Sequence, residues 1–121
     1  MYLRFQKKLD TLVVDLVGEL DHHYADLVRT KIDDRIDRDN IKNVILNFGE
    51  VTFMDSSGIG AIVGRYKKIK KKQGSFCITD ARNNVSKVLE LSGLLKVIDY
   101  YDNVDEALEV LKMEGNYRNA W

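Results

Sequence analysis

The chain is expected to form a single α/β domain, with a mixed β-sheet of about four to five strands and about four α-helices packed on it. Three observations predict this. Apolar residues alternate near the N-terminus, as in half-buried strands. Further along, short continuous apolar runs take turns with stretches of helical spacing, the pattern of strands and helices in one mixed or parallel sheet. And 121 residues are enough for one ordinary domain and too few for two.

Each element follows from its pattern. Residues Tyr2–Lys8 alternate, with Leu3 and Phe5 on one face, and residues 11–17 alternate again through Leu12, Val14 and Leu16. A short polar turn between them makes a β-hairpin. Gly18-Glu19-Leu20-Asp21 closes the second strand, and Asp21 is suited to N-cap a helix. From 22 to 37, Ala25, Val28, Ile32 and Ile36 recur three or four apart, which predicts an amphipathic helix leaving at Asp39 and Asn40. Residues 43–48 carry Val44, Ile45 and Leu46 in one run, a strand covered on both faces and bounded by Gly49. A loop over 50–54 is expected next. Ile59, Ile62, Val63, Tyr66 and Ile69 mark a second helix, Phe76–Thr79 another buried strand, and Val85, Val88 and Leu89 a third helix stopped by Gly93. Val97 and Ile98 suggest a short edge strand. Val104, Ala107, Leu108 and Leu111 mark the last helix. Residues 1–113 thus read as one domain and 114–121 as a polar C-terminal tail.

Composition narrows the function. Lys plus Arg equals Asp plus Glu at 19 each, giving a net charge of +0, so whole-domain attraction to nucleic acid is not expected. The basic run from Arg65 to Lys72 lies mainly opposite the apolar face of its helix, as solvated cations do, and it lacks the aromatic interleaving of base-stacking surfaces. The single cysteine, Cys77, precludes an internal disulfide and fits a reducing, cytoplasmic setting. No stretch approaches the roughly 18–20 apolar residues of a membrane span, and the N-terminal residues lack the apolar stretch of a signal peptide. No membrane association is expected.

Other chemistries find little support in the residues. A serine hydrolase would need Ser56 or Ser57 activated by His22 or His23, the only histidines, and the G-x-S-x-G elbow is absent. Asp21, His22 and His23 are adjacent and project in different directions, so no metal site is expected. Neither a phosphate-binding P-loop nor a dinucleotide fingerprint is present, and no cofactor is expected.

The informative stretch is Asp55-Ser56-Ser57-Gly58, at a junction leading into a helix. Helix capping accounts for the Asp and Ser. It does not account for Gly58, Gly60 and Gly64, since each glycine inside a helix forgoes about 1 kcal/mol relative to alanine. Something there needs bare backbone: close packing on the sheet, or close approach of a partner. The serines are expected to be exposed. A helix start, with its free amides, would tolerate a phosphate on Ser56.

The stretch Val51-Thr52-Phe53-Met54-Asp55-Ser56-Ser57-Gly58-Ile59-Gly60 resembles the phosphorylation-site motif of bacterial anti-sigma factor antagonists, members of the STAS domain family. The likeness continues in Gly18-Glu19-Leu20-Asp21-His22-His23, Val44-Ile45-Leu46-Asn47-Phe48, Gly64-Arg65-Tyr66-Lys67 and Leu91-Ser92-Gly93-Leu94. The pair G-E-L-D-H-H and F-M-D-S-S-G-I-G is most similar to the sporulation branch, which opposes the anti-sigma F factor.

The resemblance implies a non-enzymatic regulator, monomeric when free. Its unphosphorylated form would bind an anti-sigma factor that is also an ATP-dependent serine kinase, releasing a sigma factor. Phosphorylation would inactivate it and a PP2C-type phosphatase would restore it. The phosphoacceptor by this likeness is Ser56, and Asp21 is the charged contact with the kinase. Ser57, Gly58, Gly60 and Arg65 would lie at or beside the docking surface. Their alternatives are first-turn capping for Ser57, sheet packing for the glycines and a solvated cation for Arg65. A general-stress antagonist, a sensory-complex STAS domain, or the STAS domain of an anion transporter would carry related motifs in a different circuit.

Overall fold

The computed structural model describes residues 1–114. The tail expected over 114–121 lies outside the described residues apart from Glu114, which caps the last helix. The chain runs β1 (Tyr2–Lys8), β2 (Thr11–Leu20), α1 (Ala25–Arg38), β3 (Asn43–Met54), α2 (Ser56–Lys71), β4 (Phe76–Thr79), α3 (Asn83–Leu91), a 3₁₀ turn (Leu94–Lys96), β5 (Asp99–Tyr101) and α4 (Val104–Met113). The five strands form one sheet in sequence order. β1 and β2 pair antiparallel as the expected hairpin, and β2 to β5 pair parallel.

This order dictates where the helices go. Each parallel strand joins its next neighbour, and such crossovers are right-handed, so successive crossovers advancing in one direction stack their helices on one face. Val28, Ile32 and Ile36 of α1, Ile62 and Ile69 of α2, and Val85 and Leu89 of α3 share one core with Leu12, Val14, Leu16, Val44, Leu46, Phe48 and Ile78 of the sheet. α4 comes after the last strand and is free of that constraint. It covers the opposite face, with Ala107 against Val13, Ile45 and Cys77. Residues 44–46 are continuously apolar because helices lie on both sides of them.

Three boundaries differ from expectation. β3 continues past Gly49 to Met54, so the segment expected as a loop is strand. Irregularities in register between Asp15 and Val17 and between Gly18 and Glu19 keep β2 paired with it, and the Asn47 side chain accepts the Gly49 amide at 2.9 Å. α1 starts at Ala25, because residues 21–24 form a turn in which Asp21 Oδ1 accepts from the His23 and Tyr24 amides. The last strand is Asp99–Tyr101, since the Val97 and Ile98 amides donate to the Leu94 carbonyl as the 3₁₀ turn ends. Gly93, at φ +80°, stops α3 as its position suggests.

α2 approaches the sheet closely at Gly58. A Cβ there would sit 2.6 Å from the Leu20 carbonyl oxygen and 2.7 Å from Met54 Cγ. Backbone cannot yield as a flexible side chain can. Gly58→Ala should therefore lower stability by about 1–3 kcal/mol, seen as a lower urea midpoint with unchanged slope.

Candidate functional site

β2 and β3 end side by side, with Leu20 paired to Met54. Each strand end is followed by an aspartate, so parallel pairing brings Asp21 and His22 beside Asp55 and Ser56. Asp55 N-caps α2. Its Oδ1 accepts the amides of Ser57 at 2.8 Å and Gly58 at 3.4 Å, and its Oδ2 accepts the amide of His22 at 3.2 Å. One carboxylate thus ties the start of α2 to the turn that leads into α1. The His22 ring nitrogen Nδ1 faces the same Oδ2 at 3.7 Å, not a serine hydroxyl.

Partial burial alone would raise the Asp55 pKa. The amides of Ser57, His22 and Gly58 together outweigh it and hold the carboxyl below the ordinary carboxylate range. This narrows the expectation of free amides for a phosphate: Ser57 and Gly58 already donate to Asp55, while the Ser56 amide donates to no acceptor among the described residues. Ser56 is exposed, so a phosphate on it would stand at the surface beside that carboxylate.

The other expected residues fall into two groups. Ser56 and Gly60 are exposed and Ser57 is half-buried. Asp21 is 9% exposed, with Oδ1 committed to the turn, and Oδ2 accepts no hydrogen bond among the described residues. Gly58 and Arg65 lie inside, as does Asp21, so the charged contact expected of Asp21 is a largely buried carboxylate. Gly58 packs on Leu20 and Met54, which is the sheet-packing role. Arg65 is not a solvated cation. It is 8% exposed, and its Nε lies 2.8 Å from Asp33 Oδ1 on α1. The remaining two glycines are different: a Cβ on Gly60 or Gly64 would meet nothing within 4 Å. No packing within the chain demands bare backbone at either.

Two features go beyond the sequence expectations. The His22 amide joins the site through Asp55, and the signal for it is the matched aspartates after two adjacent strands. Phe53, 49% exposed, lies on the strand end leading into Ser56, facing away from the buried Met54. Extending the strand alternation through residues 50–54 would find it.

Other chemistry has less support. No group of three or more metal-ligating side chains occurs among the described residues. Burial pushes the Cys77 thiol up to about 12, which disfavours the reactive thiolate. A separate polar cleft of about 170 Å³ is lined by Arg4, Asp15, Asn47, Glu50, Asp80 and Arg82. Within it, Arg4 pairs with Asp15 and Glu50 at 3.3 and 2.9 Å, and Asn47 donates to Asp15 at 2.9 Å. Among the described residues, no helix is long and apolar enough to cross a membrane.

The STAS domain family matches residues 2–107. This chain belongs to the STAS domain family. An anti-sigma F factor antagonist of Paenibacillus polymyxa is 43% identical to it over 102 residues, covering 84% of this chain and 87% of the relative. Among solved structures, the anti-sigma factor antagonist SpoIIAA in its unphosphorylated form matches with a TM-score of 0.72 at 27% identity, covering 95% of this chain and 100% of that one. SpoIIAA of Bacillus in its phosphorylated form matches with a TM-score of 0.71 at 30% identity, covering 91% and 99%. Both of these chains, one unphosphorylated and one phosphorylated, share this fold.

The cap of this STAS domain makes a prediction about acid. A carboxyl whose folded pKa is depressed contributes stability that is present above its unfolded pKa, about 4, and is lost as pH falls through the folded value. Asp55→Asn can still cap α2 but cannot titrate. Its loss of stability between pH 5 and pH 2 should be shallower than that of the unchanged chain, measured from urea midpoints across about that range.

Proposed function

We propose that this STAS domain is an anti-sigma factor antagonist of the sporulation sigma-F type, switched by phosphorylation of Ser56. The unphosphorylated form binds an anti-sigma factor that is also a serine kinase, and the sigma factor is released. That kinase then phosphorylates Ser56 from ATP, docking is lost, and a PP2C-type phosphatase restores the free hydroxyl.

The observation that carries this reading is the exposed Ser56 on the first turn of a helix that Asp55 already caps. Adding a phosphate there removes no internal contact. It places about −1.5 to −2 charges beside Asp55 on the surface a partner must cover. Asp21 supplies Oδ2 at the neighbouring strand end, Ser57 flanks the acceptor, and Phe53 adds an apolar side chain. A contact of ordinary size buries about 800 Å² on each side. A dianion trapped within it, unmatched by a cation, costs several kcal/mol, and 1.4 kcal/mol is a factor of about ten. Affinity should then fall by about 100-fold or more without any change of fold.

Incubation with the anti-sigma kinase and ATP should add one phosphate, mapped to Ser56 by mass spectrometry. Ser56→Ala should bind the kinase about as tightly as the unchanged chain and accept no phosphate, and Ser56→Asp should bind about 100-fold more weakly. Phosphate mapped elsewhere, or tight binding by the phosphorylated chain, would refute the reading.

Gly60 offers a separate check. With open space above it, Gly60→Ala should raise stability by about 0.5–1 kcal/mol through helix propensity. If a partner lies against that backbone, the same change weakens kinase binding, so thermal melting and affinity should move in opposite directions.

A further inference from the structure

We propose that Arg65 is a positioning residue for docking: its ion pair with Asp33 holds α2 against α1 and thereby sets Ser56 relative to Asp21. This rests on the docking reading above and assigns Arg65 a role inside the domain, not at its surface.

Arg65 is buried, and its Nε is closed off from solvent beside Asp33, so its charge is engaged within the domain. Its Nε stands 2.8 Å from Asp33 Oδ1, and its Nη1 donates to the Ala61 carbonyl at 3.4 Å. The Nε–Oδ1 contact is a charge pair and not an aligned hydrogen bond. Burial lowers the Arg65 pKa and Asp33 opposes that shift, but a guanidinium remains a cation throughout.

A charge between packed helices is costly, and an apolar side chain of similar size would fill the seam without that cost. What a charge pair adds is register. Apolar surfaces can slide past each other, whereas a cation drawn from water must stay with its anion. Further along the same seam, Lys68 Nζ meets Asp37 Oδ1 at 3.0 Å. At the opposite end, Asp55 holds the His22 amide. Three ties therefore join α1 and its lead-in turn to α2 and its cap. The two docking elements ride on these segments: Asp21 stands just ahead of α1, and Ser56 opens α2. A partner that covers Ser56 and the exposed His22, His23 and Tyr24 beside Asp21 detects their separation.

The test compares Arg65→Met, Asp33→Asn, the double variant and Arg65→Lys in the full chain, each shown to be folded by thermal melting. Binding is measured to the anti-sigma kinase that phosphorylates the unchanged chain. Each single variant should weaken binding by about tenfold, and the double variant should weaken it no further than the singles. Arg65→Lys, which keeps the charge, should recover most of the loss. In ¹H–¹⁵N spectra, Arg65→Met should shift the His22 and Ser57 amides and spare those of β4.

Normal binding by Asp33→Asn with weak binding by Arg65→Met would mean that Arg65 touches the partner, and would overturn the proposal. Normal binding by both would do the same. If Arg65→Met does not fold, Asp33→Asn and Arg65→Lys carry the comparison, because Asp33 is about a third exposed. An unchanged chain that no anti-sigma kinase binds or phosphorylates would defeat the docking reading itself. The spectra then judge the clamp separately, and unmoved His22 and Ser57 amides would defeat it.

Discussion

The carboxylate of Asp55 accepts amide hydrogens from Ser57 and Gly58 in its own helix and from His22, 33 residues away in sequence. The rest of the site depends on that arrangement. It caps the start of α2 through two of its first-turn amides. It also fixes the turn carrying Asp21 against the helix carrying Ser56. Ser56 is left at the surface, where the proposed modification would change charge and shape without disturbing an internal hydrogen bond. The switch proposed for it would work by altering what can dock, and the domain beneath it need not move.

The glycines of α2 separate internal from external demands. Gly58 is explained by the chain itself, because a side chain would strike the Leu20 carbonyl. Gly60 and Gly64 face open space, and their cost in helix stability has no return within the domain. Arg65, close by on the same helix, is buried and paired with Asp33. Motif neighbours therefore serve different ends, some building the platform and others left bare upon it. Membership in the STAS family, shown over residues 2–107, is consistent with a shared frame of this kind.

Legibility varies with how local the determining physics is. The buried strand runs, the helix faces and the stop at Gly93 are plain, since periodicity and left-handed backbone are properties of neighbouring residues. Residues 50–54 look like a loop because Gly49 resembles a terminator, while pairing with β2 carries the strand onward. The outward-facing Phe53 is hidden from view for the same reason. Arg65 looks solvated because its lysine neighbours are, and only the partner helix shows that Asp33 waits opposite. Two of the amides expected to be free for phosphate, those of Ser57 and Gly58, are already in use, which the type of residue at 55 hints at and only the geometry shows.

By itself, the order of residues determined an α/β domain, its helices and most of its strands, and a serine-bearing motif at the start of the second helix. These follow from spacing and from short-range backbone preference. Tertiary structure decided that three helices share one face while α4 takes the other, because strand order and crossover handedness act on the whole sheet. It also decided which residues of the motif are outside and which are within. Exposure is set by what packs against a residue, and those neighbours come from distant parts of the chain.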